Sequence, residues 1–456
     1  MKESAEMKTF LVTFILMCMA VGVPAAQELL PWTVETIYPT ASAPSEQAGP
    51  CARVAINPLD EHPVVVSLAT GDEPGDQMVE LIGGYLTPSQ HSLFALSSDL
   101  DADFWMSPTM WKLGVSYRNQ SDQSLRLYQV VNNSVTGTLS TGFSRIQDEE
   151  NFEYGHGTSI RYDSTGTPHI ATHVRPVNLG IESLMYATYV GTGGNCGVLS
   201  DAGEWSCQTI DAGDEVGRDP SLTIDGADQP VIAYTKPWGE VDLVFVARPT
   251  STGAGSCGGG FWNCGYVDSD ILAYDQSNAA VTFDRSPAQT GIHIAYHATA
   301  HYSSSPTYVE HAVWAGDGVG SCGLPANWNC EDLPNEVGTA SGNALEIGTN
   351  ASGLPVIAFP SPSHDEIELV EDLGVNFAGN CGIGDRWRCA AIESDLGTPD
   401  VIGEWLDLAV TGDGQPVVAY SKLIHDTLRY QLKLAYPWIF RDSFEYGLTK
   451  WSSSAQ

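Results

Sequence analysis

Basic residues are scarce in this chain: 20 Lys and Arg stand against 56 Asp and Glu, a formal charge of −36. Such a surface repels phosphate backbones and anionic headgroups, so nucleic acid and membrane surfaces are excluded as expected partners. Long hydrophobic runs are scarce too. The longest, Phe10 to Val23, has fourteen residues, too few to span a bilayer as a helix, and no membrane span is expected. No segment of useful length repeats its apolar residues every 3.6 positions, which excludes βαβ crossovers. There is no Gly-x-Ser-x-Gly elbow and no His-Glu-x-x-His helix. Gly253-Ala-Gly-Ser-Cys-Gly258 fits the dinucleotide pattern by letters, but it opens no helix whose N-terminus would face a pyrophosphate.

What is present begins with an export signal. Lys2 and Lys8, the apolar run and Val23-Pro24-Ala25-Ala26 predict a signal peptide over 1–25, cleaved after Ala25 or Ala26. The mature chain is then secreted, periplasmic or held at the cell surface. Cys18 leaves with the signal. Eight of the other nine cysteines form close pairs: Cys196 with Cys207, Cys257 with Cys264, Cys322 with Cys330, and Cys381 with Cys389. In an exported protein, recurring close pairs predict disulfides, whereas zinc would want another spacing and nearby histidines. Cys51 is left over, either a buried thiol or one that links to a partner.

The pairs sit on a repeat. One strand recurs as Thr158-SIRYD, Pro220-SLTID, Ala279-AVTFD, Asn343-ALEIG and Leu406-DLAVT, with Ile160, Leu222, Val281, Leu345 and Leu408 as the aligned apolar centres. A turn rich in Gly, Asn, Asp and Pro follows each copy, as tight hairpins need. Second strands come next: Pro168-HIATH, Pro230-VIAYT, Ile292-HIAYH, Pro355-VIAFP and Pro416-VVAYS. A third strand and a Cys-bearing loop lead to a fourth that starts at Trp205, Trp262, Trp328 or Trp387. Four short strands per unit of some 60 residues make the blade of a β-propeller. Two cysteine-poor copies lie upstream, one with Arg53-VAIN and Pro63-VVVSL, the other with Phe104-WMS, Leu113-GVSY and Ser124-LRLYQV. The last copy ends near Ala435 without its fourth strand, and Trp32-TVETI at the other end supplies one. The expectation is an all-β, seven-bladed propeller over 28–437, with six or eight blades as the alternatives. The N-terminal strand completes the last blade, and 438–456 form a C-terminal tail.

Copies such as Ser221-LTIDGADQPVIAYT resemble the repeats of secreted bacterial propellers related to the sialidase-like group. That resemblance implies the fold. It does not carry the sialidase reaction with it, because no Asp-box stands in the sequence. The tail, Phe440-RDSFEYGLTKW451, is similar to the F-x-D-G-F-E-S-G type found on many exported proteobacterial proteins, with Ser443 and Tyr446 replacing the usual Gly and Ser. It implies a sorting or display element, or a remnant lying on the last blade.

Chemistry is harder to find. His169 and His173, like His293 and His297, stand four apart on second strands, so each pair shares one sheet face. Facing a channel they could bind a ligand or metal, or move protons; packed between blades they are polar core. Arg161 and Arg285 lie near strand ends and complete the candidate channel-binding set. No catalytic residue is singled out. Asp163, Asp225 and Asp284 end successive first strands, where Ca²⁺ is conceivable but turn capping is the reading taken. No cofactor is expected. The repeated tryptophans read as packing beside the disulfides. The leading functional expectation is a non-catalytic binding or adhesion module for an extracellular glycan or protein. Its rival is a hydrolase or lyase acting on polysaccharide at the channel mouth. Copy-specific polar residues gathered on one end of the ring would favour the enzyme; equivalent residues repeated around the ring would favour the module.

Overall fold

The computed structural model describes residues 32–437 apart from parts of the connecting loops, the longest being 39–46, 83–89 and 334–343. The expected signal peptide and C-terminal tail lie outside the described residues. β1 (Trp32–Tyr38) opens the chain, followed by β2 (Gln47–Ile56), β3 (Pro63–Thr70), β4 (Gln77–Ile82) and β5 (Gln90–His91). Then come β6 (Leu96–Ser107), β7 (Met110–Asn119), β8 (Ser124–Asn133) and β9 (Thr138–Gln147). The next set is β10 (Phe152–Tyr162), β11 (Pro168–Pro176), β12 (Glu182–Tyr189) and β13 (Trp205–Gly213). After it run β14 (Arg218–Ile224), β15 (Pro230–Trp238), β16 (Val241–Pro249) and β17 (Trp262–Tyr266). β18 (Tyr274–Phe283), β19 (Ile292–Ala300), β20 (Thr307–Trp314) and β21 (Trp328–Asp332) form another set. β22 (Glu346–Thr349), β23 (Pro355–Pro360), β24 (Glu366–Asp372) and β25 (Trp387–Ser394) precede β26 (Val401–Val410), β27 (Pro416–Ile424) and β28 (Arg429–Pro437). Among the described residues the one helical turn is Gly258–Gly260.

Hydrogen bonding joins these strands into six sheets, in place of the seven separate blades that the repeat predicts. Five are four-stranded meanders. The sixth has eight strands and holds both ends of the chain. The fusion has a local cause. β1 covers β28 from Pro437 to Leu432, antiparallel, with Val34 opposite Ala435. Just beyond the end of β1, Tyr430 pairs with Ala48 of β2, and that single contact merges the first and last four-stranded sets. The predicted closure by the Trp32 segment is therefore present, and it leaves β28 with partners on both sides.

The first strands of successive sets pack side by side around one axis, and β26 packs back on β2. Apolar side chains fill the space between neighbouring sheets. Leu222, Ile232, Tyr234 and Leu243, for example, bury against Leu184, Tyr186 and Ile210 of the preceding sheet, each worth roughly 1.5–3 kcal/mol. One alignment needs correction. Ile347, not Leu345, faces Ile357 as Ile160 faces Ile170. The copy is displaced by two residues. A slip of two keeps every side chain on its own face, so hydrophobic alternation cannot detect it.

All four predicted disulfides form: Cys196 to Cys207, Cys257 to Cys264, Cys322 to Cys330 and Cys381 to Cys389, with Cα–Cα distances of 5.9–6.0 Å. Their loops fold back over the outermost strands. Cys196 pairs with Trp205 on the side away from β12, and the Asn195 side chain bonds both N–H and C=O of Cys207. Asn380 does the same for Cys389, and the Ser256 hydroxyl does so for Cys264. The sulfur of Cys330 lies 3.6 Å from the carbonyl oxygen of Val267 on the preceding sheet. A bridged sulfur carries no proton to donate, so this contact of Cys330 is packing and not a hydrogen bond. Trp205, Trp262, Trp328 and Trp387 are buried beside these bridges, in the packing role expected of them. Cys51 falls within β2, but its side chain lies outside the described residues.

Candidate functional site

The inner strands carry a repeated cross-sheet device. In four copies the residue before the central apolar position reaches the backbone N–H of the next inner strand. Ile160 N–H donates to Asp101 (2.8 Å), Leu222 N–H to Ser159 (3.1 Å) and Val281 N–H to Ser221 (3.1 Å). Val54 N–H donates to Asp407 at 2.6 Å, which links the last inner strand to the first. Strand backbone facing a neighbouring sheet has no ladder partner, and these side chains satisfy it.

Two copies use Ser at this position (Ser159 and Ser221) and one Ala (Ala280); the others carry charge, on the inner strands that surround the axis. Asp101 accepts from Ser159 Oγ (3.0 Å) and pairs with Arg161 (2.9 Å) and, at 3.7 Å, with Arg53. Asp103 accepts from Tyr162 N–H. Glu346 on β22 and Asp407 on β26 complete the set. Strands β10 and β22 are not neighbours, yet Arg161 and Glu346 interact electrostatically across the ring. Burial, with Asp407 and Asp101 nearby, pushes the Glu346 carboxyl up to about 8 against the pull of Arg53 and Arg161. Burial and Asp101 likewise raise Asp407, with Arg53 opposing. Two carboxyls that interact this way hold a proton between them at neutral pH. Asp407 spends one oxygen on Val54. The Glu346 carboxylate forms no hydrogen bond with any described residue, although part of the residue stays open to solvent.

Of the residues singled out from the sequence, Arg161 belongs to this cluster. Arg285 lies outside the described residues. The histidines sit one strand further out. His169 is buried between the Tyr186 hydroxyl and Asp163 (3.4 Å), and burial lowers its pKa. His173 meets Glu182 at 2.9 Å. His293 stacks on His311, which bonds Glu331 at 2.9 Å; its pKa is pushed down to about 3 by burial and by His311. His297 is buried, without a hydrogen bond at Nε2 among the described residues, and is pushed down to about 4. His169 and His293 thus belong to different sheets and do not converge. Asp163 and Asp225 accept from the backbone N–H groups two and four residues on, as turn caps do. Among the described residues no group of three or more His, Cys, Asp or Glu could hold a metal ion.

Arg53, Asp101, Glu346 and Asp407 escaped the sequence reading. Their signal was a charge at a position where sister copies have Ser or Ala, and for Glu346 the two-residue misalignment concealed it.

Closed ring, four-stranded meanders and inner strands around one axis define a β-propeller. No family model and no curated protein matches the chain. Solved structures similar to it include sialidase-like propellers. The Trypanosoma rangeli sialidase in complex with sialic acid is 8% identical, with 84% of this chain and 60% of that one covered and a TM-score of 0.40. A Penicillium chrysogenum alpha-L-arabinanase is 13% identical, covering 71% and 89%, at 0.43. Drosophila Semaphorin 1b, extracellular domains 1-2, is 10% identical, covering 90% and 87%, at 0.40.

Proposed function

We propose that the chain is an exported glycan hydrolase whose reaction takes place on the propeller axis. The observation that carries this reading is the Glu346–Asp407 pair, held beside Arg53 and Arg161 by four different inner strands. The backbone-linking role accounts for Asp101 and Asp407, as it does for Ser159 and Ser221. It accounts neither for Glu346 nor for two half-buried arginines. These residues are specific to single copies and are not repeated around the ring, which favours an enzyme over a module of equivalent sites.

Glycosidic bonds are cleaved by a pair of carboxyls, one protonated and one ionised. Glu346, kept protonated by burial and by its acidic neighbours, donates to the leaving-group oxygen. Asp407 is the ionised partner that activates water or stabilises the developing positive charge. The guanidinium groups hold the pair in place and keep the second carboxylate charged. Export is supported by the four disulfides, which persist in oxidising compartments.

The test is Glu346→Gln, which keeps shape and removes the proton. Against a panel of glycans and aryl glycosides, turnover should fall on the order of 10²–10⁴-fold for ordinary leaving groups. It should fall far less for a dinitrophenyl leaving group, which departs without an acid. Equal losses on both substrates would reject Glu346 as the acid. Saturable glycan binding with no turnover by the native protein would return the chain to the binding-module reading.

A further inference from the structure

The outer edges of the sheets are not treated alike. In four of them a disulfide loop lies across the first residue of the last strand. That covering blunts an edge that would otherwise be a template for another chain. β9 has no such cover. It is ten residues long, pairs only with β8 among the described residues, and is exposed over its first six positions. From Thr138 to Ser144 (TLSTGFS) it carries no charge, in a chain of net charge −36. Leu139 and Phe143 are 56% and 60% exposed, and Val135 in the preceding turn is 73% exposed. Lysine, proline and bulges are the usual defences of an exposed edge, and this stretch has none.

We propose that two copies of this chain associate through β9, edge to edge and antiparallel, about a two-fold axis at Thr141. Two features favour a second copy over another strand. The first is self-complementarity. Leu139, Thr141 and Phe143 share one face, so pairing about Thr141 sets Leu139 of each copy opposite Phe143 of the other. Antiparallel pairs alternate between hydrogen-bonded and non-bonded types, so either set of outward N–H groups accommodates this register. The second feature is charge. Two chains this acidic repel almost everywhere, and an uncharged edge is where that repulsion is locally least. Among the described residues each chain has one such strand, so the assembly closes at two.

Sedimentation of the full-length mature chain tests this across protein and salt concentration. Dimer is expected, and it should strengthen as salt screens the net charge, opposite to an interface built on ion pairs. Leu139→Lys should weaken the dimer about tenfold or more, since each lysine faces the partner's phenylalanine. The site is exposed, so the melting temperature should hold. Thr141→Cys should cross-link its symmetry mate under oxidation, beyond any background from Cys51. Ser140→Cys, on the opposite face, should not. A monomer at every concentration and salt would overturn the proposal. So would a dimer indifferent to Leu139→Lys, or equal cross-linking from both cysteine variants.

Discussion

The two ends of each sheet are held by opposite kinds of chemistry. At the axis, neighbouring sheets are joined by single side chains that reach a backbone N–H far away in sequence, the extreme being Asp407 to Val54. At the rim, covalent loops tie residues only 7–11 positions apart. The inner contacts decide whether the ring closes; the outer ones decide whether a finished sheet keeps its edge to itself. Damage at the axis should therefore spread through the molecule, while damage at the rim should stay in one sheet.

The sharpest way to break that contrast is Asp407→Ala. It strands the Val54 N–H between sheets and leaves Arg53 without one of its counter-charges. Removing one member of a buried charged network costs roughly 3–5 kcal/mol, visible as a fall in the urea midpoint and in loosened Trp32 closure by hydrogen exchange. A midpoint unchanged by this substitution would mean that β1 on β28 closes the ring alone. The rim should respond less. Replacing Cys257 and Cys264 together by Ser opens a short loop, at about 2.5 kcal/mol by loop entropy. Its exchange protection should drop in β16 and β17 and stay intact in the sheet of β22 to β25. Protection lost throughout would show that the rim, too, is a global fastening.

Much of this was legible in the sequence, and the reasons differ by residue. The disulfides and their tryptophans were readable because cysteine pairs and Trp recur at fixed offsets, and local spacing survives in one dimension. The closing strand was readable because Trp32-TVETI copies a pattern found elsewhere. The six-sheet outcome was not. It turns on one backbone contact, Ala48 to Tyr430, which no side-chain pattern encodes. The axial site was hidden for a similar reason. Its members are single charges on separate copies, and the ring is what brings Arg53 and Arg161 to Glu346 and Asp407. The histidines misled in the other direction, because period two gives a shared face without saying which neighbour that face meets.

The smallest effect sharpens the contrast between equivalent copies. Tyr234 and Lys236 both bond Asp211 of the preceding sheet, and Tyr420 and Lys422 both bond Glu393. In the copy that holds Tyr296 the tyrosine bonds Glu310 of its own sheet instead, and Ala298 stands where the lysine would be. Burial, with Asp268 and Asp332 nearby, pushes Glu310 up to about 7 despite the tyrosine's hydrogen bond. A carboxyl raised on folding contributes stability that is complete below its ordinary value near 4.5 and is lost as pH rises through 7. His293 and His297, both lowered, act with the opposite sign: their contribution is complete above 6.5 and fades as pH falls toward 4 and 3. Urea midpoints measured from pH 5 to 8 should thus carry a downward limb worth about 1–2 kcal/mol that Glu310→Gln removes. Glu346→Gln should remove a separate part extending to higher pH, since that carboxyl titrates near 8. If Glu310→Gln leaves the limb unchanged, Glu310 is not the group that loses stability as pH rises, and its burial has no electrostatic consequence.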